Sequence, residues 1–77
     1  MRMYVSGVTC SRCVERVRNA LAGIPGVTWV TVEVIGEGRG RAELVLSREI
    51  RMGEVEEALE KASQGTPHRY SMAGIED

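Results

Sequence analysis

Cys10 and Cys13, in the stretch "GVTCSRC" from Gly7 to Cys13, are the only cysteines in the chain. Two cysteines at this spacing can close a disulfide, carry thiol-disulfide redox chemistry, supply half of a structural zinc site, or hold a soft metal ion that must leave again. A disulfide scaffold would spread several cysteines along the chain, whereas everything after Cys13 is left uncrosslinked here. One histidine and no further cysteine cannot close a tetrahedral zinc site within one chain, so structural zinc would require a dimer. A thiol-disulfide oxidoreductase also places C-x-x-C at a strand-to-helix junction. "TCSRC" lacks the aromatic residue before the pair and the Gly-Pro or Pro-Tyr within it, and a non-enzymatic role is expected.

The elements that must position the pair follow from hydropathy patterning. "MRMYVS" alternates Met3 and Val5 against Arg2, Tyr4 and Ser6, as a half-buried strand does, and Gly7 breaks it. From Ser11 the apolar residues Val14, Val17, Leu21 and Ile24 recur at helical spacing, and Gly23 with "IPG" ends the helix. "VTWVTVEVI" is a β-branched strand with Val30, Val32 and Val34 on one face and Trp29, Thr31 and Glu33 on the other. "GEGRG", Gly36 to Gly40, turns the chain into "RAELVLS", where Ala42, Leu44 and Leu46 face inward. That glycine-rich turn joins two strands and opens no helix, which argues against a phosphate loop. "SREIRMGEVEEALEKAS" is a second helix with Met52, Val55, Leu59 and Ala62 inward, and "HRYSMAGI" offers a last strand through Tyr70 and Met72, with "ED" frayed.

The order β-α-β-β-α-β is that of an α+β, ferredoxin-like sandwich, with two helices on one face of a four-stranded antiparallel sheet. A chain of 77 residues is expected to form one domain, residues 1–77. Lys and Arg number 10 against 11 Asp and Glu, and aromatics are 4%, which argues against a nucleic-acid partner. No segment approaches the roughly 20 apolar residues that span a bilayer, and none has signal-peptide character. A soluble, cytoplasmic protein without membrane insertion is expected.

On this fold Cys10 lies in the loop after the first strand and Cys13 in the first helical turn. Backbone N–H groups and the dipole at a helix N-terminus favour thiolate over thiol. Two thiolates at this spacing converge on one soft ion: Cu(I), Hg(II), Zn(II) or Cd(II). Zn(II) and Cd(II) are less favoured because no carboxylate adjoins the pair. Both cysteines are expected to lie outside the core stripe, so that replacing either leaves the fold intact.

"GVTCSRC" followed by "VERVRNAL" resembles the heavy-metal-associated domain family, which includes copper chaperones, N-terminal domains of metal-transporting P-type ATPases and mercury-binding domains. Its G-M-x-C-x-x-C pattern is met at Gly7, Cys10 and Cys13, with Thr9 also matching, while Val8 replaces the usual Met and is expected to stay buried beneath the loop. "IPGV" and "VEEALEKA" extend the resemblance over essentially the whole chain. It implies Cys10 and Cys13 as metal ligands, Cu(I) as the foremost ion with Hg(II) as the alternative, and a P-type ATPase or another C-x-x-C domain as partner, with a metal-bridged homodimer also open. Thr9, Ser11, Arg12 and His68 are candidates for contacts around the sulfurs or for offsetting their charge. In the family a lysine or a Gly-Tyr loop stands beside the metal. "QGTPHRY" places Thr66 after Gly65, and neither lysine nor tyrosine is assigned to the site here. Arg12 then either supplies that charge or is a solvated side chain, two readings of equal standing. His68 is either a third donor or a surface histidine at the strand start, and the surface reading is adopted. Arg12, Arg16 and Arg18 form a small basic cluster, which is either simply solvated, as most charge runs are, or steers an acidic partner. Trp29 is expected on the open sheet face, partly buried against Tyr4 or Val45.

If the cysteines are ligands, the reduced chain binds metal and the chain oxidised at Cys10 and Cys13 does not, because the disulfide consumes both donors. Titration of each form with a soft ion reads this directly, and insulin-reduction turnover like that of a dedicated oxidoreductase would establish the enzyme instead.

Overall fold

Met3 and Val5 are fully buried between half-exposed neighbours, the alternation that makes Arg2–Ser6 a strand with one face on a core. In the computed structural model, which describes residues 1–76, this strand is β1. It is followed by α1 (Ser11–Ala22), β2 (Val27–Gly36), β3 (Arg39–Leu46), α2 (Met52–Ser63) and β4 (Ser71–Glu76). The sheet order is β2-β3-β1-β4 with every neighbouring pair antiparallel, the split sandwich that the element order implies. Helix α1 packs on β2 and on α2, and α2 also meets β4, so one core lies between the helices and the sheet. Among the described residues no helix is long and apolar enough to cross a membrane.

The buried face of α1 is Cys13, Val17 and Leu21, with Val14 only half-buried at its margin. The expected stripe is therefore shifted: Cys13 is a core residue in contact with the interior, and only Cys10 lies outside it. The expectation that neither cysteine belongs to the core fails for Cys13. A small, weakly polar thiol packs like an apolar side chain and gives no sign of this in a hydropathy pattern.

In β2, Val30 is buried, Val32 half-buried and Val34 exposed, because the far end of the β2–β3 hairpin runs beyond the helices. The hairpin closes more tightly than expected. Gly36 already pairs with Arg39, and the turn is Glu37 and Gly38, the latter at φ +65°, where glycine carries no Cβ penalty. Ile50, ahead of α2, is buried and extends the core. Glu54 accepts a hydrogen bond from the Arg51 N–H at 2.9 Å and caps the start of α2.

The open sheet face carries Trp29, 55% exposed, beside Val45 at 53%, so Trp29 lacks the expected cover. On the same face Arg2 donates to Glu43 at 2.8 Å and to Glu76 at 3.3 Å, and the Tyr4 hydroxyl donates to Glu76 at 2.9 Å. Glu76 thus belongs to β4 and is not frayed, while Asp77 lies outside the described residues. Exposed pairs of this kind contribute about 0–1 kcal/mol each. Their larger effect is to set the register of β4 against β1.

Gly7, at φ +90°, lies under the backbone of residues 69 and 70. A Cβ there would stand 2.1 Å from the Arg69 carbonyl oxygen, an impossible approach for any other residue. Gly7→Ala is expected to destabilise the chain by about 2 kcal/mol or more, from left-handed backbone strain plus the clash with main chain. Urea unfolding checks this, and a loss below about 0.5 kcal/mol, the range of inert surface changes, would show that the crossing carries no weight.

Candidate metal site

Cys10 occupies the N-cap of α1 with extended backbone (φ −149°, ψ 173°), and its carbonyl accepts the first helical hydrogen bond from the Val14 N–H at 3.1 Å. No side-chain oxygen caps this end, and no acidic residue lies in the first turn. The positive end of the helix is therefore left uncapped beside the sulfurs, and Cys10 stands at the position normally held by a serine or aspartate.

The two sulfurs are 3.3 Å apart, both free thiols, with Cys10 exposed and Cys13 fully buried. Val8 is fully buried beneath the loop, against Gly40, as expected of a plug. Burial pushes the Cys13 thiol up. It is outweighed by the Tyr70 hydroxyl, a backbone hydrogen bond from Thr9, the Cys10 thiol and the Thr9 hydroxyl, and the net result is a pKa lowered to about 6. The Thr9 hydroxyl lies 3.7 Å from the Cys13 sulfur. These donors favour the thiolate form of Cys13 near neutral pH.

Tyr70 is a site residue that the sequence reading did not place here. It is 5% exposed, and burial, followed by the hydrogen bond to Cys13, raises its pKa, which keeps the phenol protonated as a donor. Arg16 reaches the same hydroxyl at 3.5 Å and feels the charge of both sulfurs. Arg12 is exposed on the first turn, as is Ser11, so the guanidinium behind the sulfurs belongs to Arg16. The tyrosine was missed because four residues separate it from Gly65, where the family loop has Gly-Tyr directly. The usable signal was "TPHRY", whose turn residues bring the chain back towards Gly7.

His68 is brought to the sulfurs. The donor atoms of Cys10, Cys13 and His68 all lie within 4.8 Å of one another. The imidazole is half-buried and stacked near the Tyr70 ring, centroids 6.2 Å apart and planes 16° from parallel.

The family model for the heavy-metal-associated domain matches residues 2–64. Among curated proteins nothing matches the chain. Solved structures that share the fold include two of low identity. One is oxidised MerP from Ralstonia metallidurans CH34, 23% identical with a TM-score of 0.60, the match covering 95% of this chain and 96% of that one. The other, described as "Crosstalk between Cu(I) and Zn(II) homeostasis", is 17% identical with a TM-score of 0.59, covering 94% and 97%.

Thiolate absorbance of the reduced protein should rise with a midpoint near pH 6 and lose that component in Cys13→Ser. Tyr70→Phe removes one donor and should move the midpoint upward. Because the folded pKa lies below that of a free thiol, about 8.5, the ionised Cys13 stabilises the fold fully above that value and progressively less as pH falls through 6. A single titration in the ordinary thiol range would contradict this assignment.

Proposed function

The chain belongs to the heavy-metal-associated domain family, and on that premise we propose that Cys10 and Cys13 bind one soft heavy-metal ion, Cu(I) foremost, and deliver it by thiolate exchange. The observation that carries the reading is the asymmetry of the pair at an uncapped helix start. One sulfur is buried, ionised and held by donors, and the other is exposed. In this reading Cys13 anchors the ion while Cys10 opens first. A thiolate from the partner bonds to the metal, Cys10 leaves and takes up a proton, and a second partner thiolate then displaces Cys13. No electron is transferred, and the ion never enters water. Two protein thiolates leave open positions for that attack, which a saturated four-ligand site would lack.

Charge supports Cu(I). Two thiolates on a monovalent ion carry one net negative charge, and the Tyr70 hydroxyl with Arg16 behind it faces that charge. Hg(II) with the same donors is neutral and gains less from these groups. The proposed partner is a metal-transporting P-type ATPase or another domain presenting C-x-x-C, with a metal-bridged homodimer as the homotypic version of the same exchange. The role is binding and transfer, without catalysis.

Native mass spectrometry of reduced, anaerobic protein after exposure to mixed soft ions should show one Cu(I) per chain, lost in Cys10→Ser. Cys13→Ser should lose it as well, with circular dichroism run alongside because that change also buries a hydroxyl in the core. Arg16→Glu should weaken Cu(I) several-fold, on the order of 1 kcal/mol for a partly screened charge, and Hg(II) much less. An unchanged affinity in Cys10→Ser would remove the site assignment, and equal losses for the two ions would remove the charge argument for Cu(I).

A further inference from the structure

We propose that His68 is a third donor to the bound ion, making this a two-thiolate, one-imidazole site that also holds borderline divalent ions of the Zn(II) class. The inference rests on metal binding by Cys10 and Cys13 and adds a residue beyond the family match, which ends at residue 64.

Four features of the chain aim this imidazole at the sulfurs. The Thr66 hydroxyl accepts from the His68 N–H at 3.2 Å and lies 2.9 Å from the Ser63 carbonyl, tying the Thr66–His68 turn to the end of α2. The Tyr70 N–H donates to the Ser63 hydroxyl at 2.9 Å, and that hydroxyl donates to the Leu59 carbonyl at 2.9 Å, fixing the far side of the loop to the same helix. The missing side chain of Gly7 lets the intervening Arg69 backbone settle directly on the cysteine loop. Pro67 stiffens the turn between them. A histidine carried on a loop braced at both ends loses little freedom on binding, the condition for a preorganised ligand.

The distances suit an ion that has yet to draw its donors in. Metal–thiolate bonds of about 2.3 Å and metal–imidazole bonds of about 2.0 Å place the donors of a trigonal site roughly 3.7–4.0 Å apart. The sulfurs, at 3.3 Å, must open by less than an ångström on that basis, about 0.7 Å. No donor pair is separated by more than 4.8 Å, so the imidazole closes by about 1 Å at most. Cys10 is exposed and His68 half-buried, and side-chain rotation supplies both movements without disturbing Cys13 in the core.

The chemistry separates ions by how many donors they want. Hg(II) is satisfied by two thiolates and gains little from an imidazole. Cu(I) accepts two or three donors. Zn(II) prefers four, and imidazole is one of its usual ligands, so a third protein donor with one position left open is what allows the site to hold it. His68 is then the residue that broadens selectivity from the softest ions to Zn(II).

The test uses the whole reduced chain, titrated with Zn(II) and separately with Hg(II) against a chelator, in wild type, His68→Gln and Cys10→Ser. His68→Gln should weaken Zn(II) at least about 100-fold, the upper end of the cost of losing an outer hydrogen-bond partner of a ligand, and leave Hg(II) within a few-fold. His68 is the only histidine in the chain, so nitrogen NMR of the imidazole reads coordination without ambiguity. One ring nitrogen should shift strongly on adding Zn(II), which stacking on Tyr70 alone would not cause. Unshifted ring nitrogens, or equal Zn(II) affinity in His68→Gln and wild type, would overturn the inference while loss in Cys10→Ser kept the thiolate site. Retention of both ions in Cys10→Ser would overturn the thiolate reading and this inference with it.

Discussion

The site depends on a backbone crossing. The chain leaving β1 and the chain entering β4 pass each other at Gly7, where the Arg69 carbonyl fills the space a side chain would need. β1 and β4 are neighbouring antiparallel strands, so the loops at this end of the sheet are brought together by pairing that continues from Arg2 and Glu76 to Ser6 and Ser71. The Ser6 hydroxyl donates to the Ser71 carbonyl at 3.2 Å just before the crossing. The cysteine loop and the His68–Tyr70 loop are therefore parts of one structure, although 54 residues of sequence lie between Cys13 and His68. A larger residue at position 7 would lift the second loop and carry Tyr70 and His68 away together.

Above that crossing, burial and hydrogen bonding oppose each other at Cys13. Burial alone would keep the sulfur protonated, and most buried cysteines are inert for that reason. Here the buried Tyr70 hydroxyl and the exposed Thr9 supply donors to the sulfur, and the buried one is worth more than it would be in water. The same position gives a thiolate that does not wander, because Val17 and Leu21 continue the buried face below it. Cys10, one turn earlier on the cap, has none of this cover. A pair of chemically identical residues is made unequal by three positions of helix.

The sequence made the scaffold legible wherever one face of an element was buried along its whole length. The alternation in β1 and β3 and the Val55–Leu59 stripe of α2 translate directly into burial. It was less legible where an element outruns its cover, as β2 does at Val34, because alternation marks a face but not how far the helices extend over it. Cys10 and Cys13 announced themselves by type and spacing. His68 was put forward as a candidate but read as a surface residue, and Tyr70 was not placed at the site, since both depend on two loops meeting at Gly7, a long-range contact that no local pattern encodes. Arg12 was favoured over Arg16 for the same reason: closeness in sequence to the cysteines put it forward, while the helical repeat turns Arg16 toward Tyr70.

Retention and release make opposite demands on a metal carrier, and the arrangement of donors divides them between two parts of the fold. Cys13 and Tyr70 belong to the core, and moving either would cost packing that a chain of this size cannot spare. Cys10 and His68 lie on the surface side of the same cluster, and their side chains can turn away at the cost of rotamer changes alone. In the proposed exchange the partner's sulfur replaces a donor from this outer pair while the inner thiolate keeps its bond. An imidazole is the easier of the two to displace by a thiolate on a soft ion, and its loss adds no charge to the carrier, whereas releasing Cys10 requires a proton to follow. In the proposed exchange the order of release then runs from His68 to Cys10 to Cys13: the neutral imidazole leaves first although Cys10 is the more exposed of the two, and the buried thiolate leaves last.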